Sequence, residues 1–398
     1  MPQPSEKYNI VCLSNQLWDY PIWTNKKHVM SRMAKKDHNV LFVDPPINVG
    51  RVFLRHFLNK EWGIKRILTC KKDVEGVIIY SPLNVNPFKQ GYLGIHINSI
   101  NRVARRFFNP KRKTLLWIYN VEIKDLEKCL KNISYDILIY DCVDNYSAFP
   151  KYNTPEKKKE IIDREQFLAG KANVVFATAP GLVDKLKKYN PNTFYMPNVG
   201  DYERFKNVQS LKDRIPEELK AIPPPRIGFT GAIDEYKFDR ELFRKVALDY
   251  PKFSFIIIGP IALKDREGSL KELGLSDLNN VYLLPTQPYE KMPYYLAGFD
   301  VMTIPYQIND YTVSGCFPVK FHEELAAGLP VVVTDLPAYA PFSDVCYISK
   351  SYNEFSQNIR RALEETSPEK VAARKKVAKE NTWEGKVSNM LKIISGLI

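Results

Sequence analysis

An α/β protein of two doubly wound domains is what this sequence predicts, on three observations. Short β-branched or aromatic runs alternate with helix-forming stretches, the pattern of parallel strands covered by helices on both faces. A polar stretch ending in Pro223-Pro224-Pro225 interrupts this alternation, which then restarts at Arg226. At 398 residues, 44% of them hydrophobic, the chain is long enough to bury two cores. The predicted domains are 1–200 and 201–382, with a last helix over 383–398.

Residues 8–14 (YNIVCLS) read as the first strand, and an aromatic loop over 18–23 leads to a helix ending near Lys36. Residues 39–43 (NVLFV) form the second strand, stopped by Asp44-Pro45-Pro46. No Gly-x-Gly-x-x-Gly follows the first strand, which argues against a dinucleotide site there. Residues 114–119 and 136–140 are further strands, and the second runs into Asp141 and Asp144. Ligands of open α/β sheets bind beyond the carboxyl ends of strands, so these two carboxylates stand where chemistry is expected. A helix over 156–171, a strand over 173–177, another helix and a strand from Phe194 complete the first half. In the second half, strands are expected at 226–231, 253–259, 281–284, 301–305 and 331–334, and one long helix over 370–398. Gly228 and Gly231 end the first of these in a tight turn that lets backbone approach a phosphate.

The formal charge of +13 is unevenly placed. Residues 1–200 hold 32 Lys+Arg against 18 Asp+Glu, whereas residues 201–398 hold 26 against 27. An excess confined to one half points to an anionic partner of that half, and two stretches mix it with aromatics: 51–72 and 101–113. Such a stretch is either an amphipathic helix packed on the sheet or a surface lying on lipid headgroups. No nucleic-acid motif is present. No segment approaches the ~18 uninterrupted apolar residues of a membrane span, and residues 1–9 lack a signal-peptide core, so cytosolic residence is expected. Cys12, Cys70, Cys129, Cys142, Cys316 and Cys346 are scattered without metal-ligand spacing and read as free thiols.

Residues 317–334 (FPVKFHEELAAGLPVVVT) organise the second half. Pro318 suits a helix start, Gly328 followed by Leu-Pro supplies the stop, and the β-branched run after it reads as a buried strand. Small residues over 312–317 suit a loop whose N–H groups face an anion at the helix N-terminus; Lys320 adds positive charge. Glu323, one turn on, can accept two hydrogen bonds from a vicinal diol such as a ribose. Glu324 points about 100° further round and is expected to tolerate substitution. The alternative is a surface helix with Lys and Glu in solvent.

This stretch closely resembles the donor-binding signature of retaining glycosyltransferases of the GT-B fold, the large family-four type. There a Glu five residues before a Gly-x-Pro-Val-Val turn binds the ribose of a nucleotide sugar, and Glu323 precedes Gly328 by that spacing. Many members carry a second Glu eight residues earlier, where this chain has Gly315. A subset resembling bacterial cell-surface polysaccharide transferases has Pro-x-Lys instead, matched by Pro318-Val319-Lys320. Residues 197–205 resemble the interdomain crossover of that family, and Trp383 its C-terminal segment.

The resemblance implies two Rossmann-like domains facing across a cleft, with the C-terminal helix crossing back to the first. It implies transfer of a sugar from a nucleotide diphosphate sugar to a lipid-linked or surface-polysaccharide glycan acceptor, at the inner face of the cell membrane. Gly231, Ala232, Pro318, Val319, Lys320, Glu323, Tyr306 and Thr286 are the expected donor-binding residues, with Asp144 or Asp141 as general base. No cofactor is expected, and no metal, since the second half has no Asp-x-Asp. His322, between Phe321 and Glu323, is expected to pack. The competing functions are a nucleotide-sugar epimerase and a non-catalytic module that binds membranes or polymers.

Overall fold

A computed structural model describes residues 6–48, 71–72, 75–84, 92, 94–263 and 266–397. It divides into two compact units, Met1–Met196 with Val387–Ile398, and Pro197–Lys386. Among the described residues no helix is long and apolar enough to cross a membrane.

The first unit is built on a sheet ordered Thr193–Tyr195, Val174–Ala177, Ile137–Cys142, Thr114–Ile118, Asn9–Leu13, Asn39–Val43, Ile78–Tyr80 and Lys71–Lys72. Every pair is parallel except the last. Strands buried on both faces have no polar side, which is why they read as continuous apolar runs: Val11, Leu116, Ile139 and Val175 have no solvent exposure. Each such side chain contributes about 1.5–3 kcal/mol. The strand order reverses between Asn9–Leu13 and Thr114–Ile118, so their carboxyl ends are this unit's switch point.

The helices follow the same logic. Pro155–Lys171 starts where Thr154 accepts a hydrogen bond from the Lys157 N–H and Pro155 needs no partner; it buries Ile161, Glu165, Leu168 and Ala169, one stripe at helical spacing. Trp18, from the aromatic loop, is buried edge-on against Phe42, and its backbone N–H donates to the Asp44 carboxylate at 2.8 Å.

The second unit's sheet runs Val281–Leu284, Ser254–Ile258, Arg226–Thr230, Val301–Ile304, Val331–Thr334 and Tyr347–Ser349, all parallel. Its order reverses between Arg226–Thr230 and Val301–Ile304.

Three expectations are corrected. The loop expected over 312–317 is largely helix, Asp310–Gly315, because Asn309 and Thr312 close a reciprocal capping box that the small residues conceal. The long C-terminal helix is two, Pro368–Glu380 and Trp383–Gly396, broken where the Asn381 carbonyl accepts from the Gly200 N–H and the Trp383 N–H donates to the Gly200 carbonyl. Asp141 belongs to the strand Ile137–Cys142 rather than to the loop after it. Of the basic stretch 51–72 only Lys71–Lys72 lies within the described residues, as a short strand.

Candidate functional site

The second unit gathers its chemistry at the carboxyl ends of the strands flanking the switch point. Arg226–Thr230 ends in Gly231, whose φ of +119° is glycine territory, and the Gly231 N–H donates to the Ile258 carbonyl at 2.9 Å. Gly259 (φ +140°) closes the next strand so tightly on this turn that a Cβ there would meet the Gly231 carbonyl oxygen at 2.3 Å.

Lys320 lies across the turn. Its Nζ donates to the Thr230 carbonyl at 2.7 Å, stands 3.5 Å over the Phe229 ring and 5.2 Å over that of Tyr306. One of three ammonium donors is engaged, leaving two for an anion. Burial drags its pKa down to about 7, against a partial restoring pull from Glu324. Lys237, on the loop after the short strand Ile233–Asp234, pairs with Asp234; burial pushes it down, but the carboxylate prevails and holds it above its ordinary value. Tyr306 is buried against both lysines.

Glu323, in the helix Lys320–Ala326, is buried and accepts from the Tyr289 hydroxyl; the Arg204 guanidinium stands 4.8 Å over the Tyr289 ring. Pro318, Val319 and Ala232 are half-buried beside Lys320 and Gly231 in the chain. Thr286 is half-buried in the loop that leads from Val281–Leu284 to Tyr289, three residues before the partner of Glu323. His322 packs against Phe317, Phe321 and Phe342; burial pushes its pKa down to about 3, which keeps it neutral.

Glu324, about 100° further round the helix, does not reach the surface. It is 1% exposed and neither carboxyl oxygen has a hydrogen-bond partner. The helix is buried along every residue from Phe321 to Ala326, so it has no solvent face to which Glu324 could turn. On the expectation from the sequence that Glu323 holds the ribose of a nucleotide sugar, its replacement by Gln should weaken nucleoside diphosphate binding by about 1–3 kcal/mol, read by calorimetry, as a charged acceptor becomes neutral. A loss under about 0.5 kcal/mol would remove Glu323 from the ligand's contacts.

In the first unit Asp141 is fully buried and accepts from the Trp117 indole N–H at 3.2 Å. Asp144, just past the strand, is half-buried. Between them in charge stands Lys26, at the start of the helix Asn25–Lys35, buried, with its pKa lowered by desolvation and partly restored by Asp144 and Asp141. Tyr146 ties this end together, donating to the Tyr119 carbonyl at 2.7 Å and accepting from Asn15 at 3.0 Å. Among the described residues no group of three or more His, Cys, Asp or Glu could hold a metal ion.

The basic stretch 101–113 continues the helix Gly94–Phe107. Val103 and Phe108 pack on the core, while Arg102, Arg105, Arg106 and Lys111 are exposed with Ile95 (69%) and Phe107 (41%). Arg112 is engaged instead, donating to the Asp37 carbonyl at 2.7 Å.

Sequence reasoning missed Lys26, Lys237, Tyr289 and Glu324. Only Lys237 left a legible signal, a cation six residues after the Gly231 turn; the others are brought in by elements distant in sequence or by burial.

Residues 224–365 match the family of glycosyl transferases group 1. Over 213 residues the chain is 30% identical to a Bacillus subtilis protein named as the teichuronic acid biosynthesis glycosyltransferase TuaH, an alignment that takes in 52% of each. The chain thus spans about half the length of the curated relative it matches. Anabaena HepE, solved in complex with UDP and glucose, superposes on 98% of this chain and 99% of its own with a TM-score of 0.67 at 14% identity. Sucrose-phosphate synthase from Thermosynechococcus elongatus does so on 98% and 99% with a TM-score of 0.68 at 12% identity. At such identities the likeness establishes the fold.

Proposed function

From a GT-B fold whose second unit matches the glycosyl transferases group 1 family, we propose that this chain transfers a sugar from a nucleoside diphosphate sugar to a glycan or lipid-linked acceptor, with retention and without a metal. The observation that carries the reading is Lys320, an ammonium with two free donors held against the Gly231 turn, on the same helix as Glu323. Departure of the nucleoside diphosphate leaves negative charge where Lys320 and Lys237 are already oriented, and preorganised charge of this kind lowers the barrier without reorganisation at the moment of reaction. Glu323 holds the ribose. HepE's complexes with UDP and UDP-glucose support a nucleotide-sugar donor, and the name of TuaH, a glycosyltransferase of teichuronic acid biosynthesis, supports a glycan product.

A thermal-shift panel of UDP, GDP, ADP and CDP tests the donor half. The preferred nucleotide is expected to stabilise the chain by about 2.7 kcal/mol at a hundredfold excess over its Kd. Incubation with the matching nucleotide sugar and no acceptor tests the class of reaction: a sugar isomer forming without free nucleoside diphosphate would make the protein an epimerase.

The first unit takes the acceptor in this reading, with Asp144 as its base. Asp141, enclosed and bonded to Trp117, is the positioning carboxylate. Asp144→Asn is expected to lower kcat by about a hundredfold with donor affinity nearly unchanged, because a base acts in the transition state. Unchanged turnover would shift the base's role to the donor phosphate.

The exposed cations of 102–111, flanked by Ile95 and Phe107, are the surface proposed to meet an anionic membrane. Vesicles containing anionic lipid are expected to sediment the protein at low salt and release it as salt rises, since each Lys or Arg contributes ~1 kcal/mol within a Debye length of ~8–10 Å. Reversing Arg105, Arg106 and Lys111 to Glu should abolish sedimentation and spare nucleotide binding. Salt-insensitive binding, or none, would favour a soluble acceptor.

A further inference from the structure

Glu324 is a buried carboxyl that the reaction above does not use. It stands one helical turn after Lys320, on the same face, and the two are not ion-paired: Lys320 donates to the Thr230 carbonyl, and both Glu324 oxygens lack a donor. The hydroxyls of Tyr339 and Thr334, also buried, have no partner either, and the attraction of Lys320, which makes no ion pair with it, offsets a charge on Glu324 only in part. An ionised carboxylate so placed costs several kcal/mol. A diphosphate held on Lys320 would add like-charge repulsion to that cost.

We propose that Lys320 and Glu324 form a proton-sharing unit beneath the diphosphate, in which the ligand is held by a charged Lys320 over a neutral Glu324, and binding draws the missing proton from solvent. The inference rests on the donor reading above. Without ligand the pair carries between one and two protons at neutral pH and fewer than one above about pH 8, the single-proton form being amine with acid or ammonium with carboxylate, and such a pair titrates as one system. With ligand it carries two, the second bonded to Lys320 Nζ or to a Glu324 oxygen according to which lacked it. Burial moves the two groups toward each other from opposite directions, Lys320 down to about 7 and Glu324 up to about 8.

Other charges face the pair. Lys320 senses Lys237, Cys316 and Asp234 besides Glu324; Glu324 senses Glu323, and Tyr306 and Tyr339 look onto it. Of these Cys316 could also exchange a proton on binding, so Cys316→Ser is the control.

The test is calorimetry of UDP in buffers of differing ionisation enthalpy. At about pH 8.5, well above the second phosphate ionisation near pH ~6, protons taken up belong to the protein. The wild-type chain and Cys316→Ser are expected to take up roughly one proton more per UDP than Glu324→Gln, a near-isosteric neutral side chain. Above about pH 8 the wild-type affinity should then fall up to about tenfold more per pH unit than that of Glu324→Gln. Below about pH 6.5, where both forms present an ammonium beside a neutral group, the two affinities should converge.

Equal uptake in wild type and Glu324→Gln would overturn the proposal, as would a wild type that binds without uptake. Should Glu324→Gln not fold, uptake by Cys316→Ser of more than one proton supports the shared unit, and one or fewer rejects it. Failure of UDP, GDP, ADP and CDP alike to bind at any pH would instead sink the donor reading itself.

Discussion

Lys320→Met is expected to weaken nucleoside diphosphate binding by about 3–5 kcal/mol, a hundredfold or more, while leaving the fold intact. Two charge-assisted hydrogen bonds are lost at once, each worth about 1.5–3 kcal/mol. The folded state loses little in exchange, because the ammonium is buried against ring faces with a single carbonyl for company, and a thioether of similar length suits the Phe229 and Tyr306 faces better. Titration calorimetry and urea unfolding of the same variant separate the two effects. Affinity within a few-fold of the wild type would mean that the Gly231 turn does not hold the phosphates. Lys320→Arg should not rescue fully, since a planar fork cannot reproduce the point charge in the same space.

Gly259→Ala is expected to be the most damaging single methyl in the second unit. The added Cβ would lie 2.3 Å from the Gly231 carbonyl oxygen and 2.8 Å from its carbon, both backbone atoms that cannot rotate away, at a φ of +140°. Strain of this kind costs about 3 kcal/mol or more, which for a unit of this size lowers Tm by roughly 10 °C. Because the atom displaced belongs to the turn on which Lys320 lies, nucleotide binding should fall with stability. Gly274→Ala is the comparison: its φ is +67° but nothing lies within 4 Å of the added Cβ, so only the conformational cost of about 1–2 kcal/mol is expected. Equal melting temperatures for the two variants would show that the contact between the Gly231 and Gly259 turns is not rigid.

Local chemistry makes much of this legible in the sequence. The strand Val331–Thr334 was readable because a β-branched run follows a glycine and a proline, and Gly328 does take a positive φ of +78°. Glu323 and Lys320 were readable from their spacing to that glycine, and the charge excess of the first half from a count. Each of these depends on residues within a few positions of one another.

What lay beyond reach depends on which surfaces meet. The helix Lys320–Ala326 has charged residues at 320, 323 and 324, and periodicity assigns such a helix a solvent face; the fold encloses it on all sides, which turns Glu324 from a tolerant surface residue into a buried acid without a partner. Lys26 joins Asp141 and Asp144 although more than a hundred residues separate them, and the C-terminal helix breaks at Asn381 because Gly200 takes up its backbone groups. Local pattern gives most of the strands, the turn glycines and the identity of the charges. Which charges lose water and which find partners is set by packing, because desolvation depends on every surface around a group and not on its neighbours along the chain.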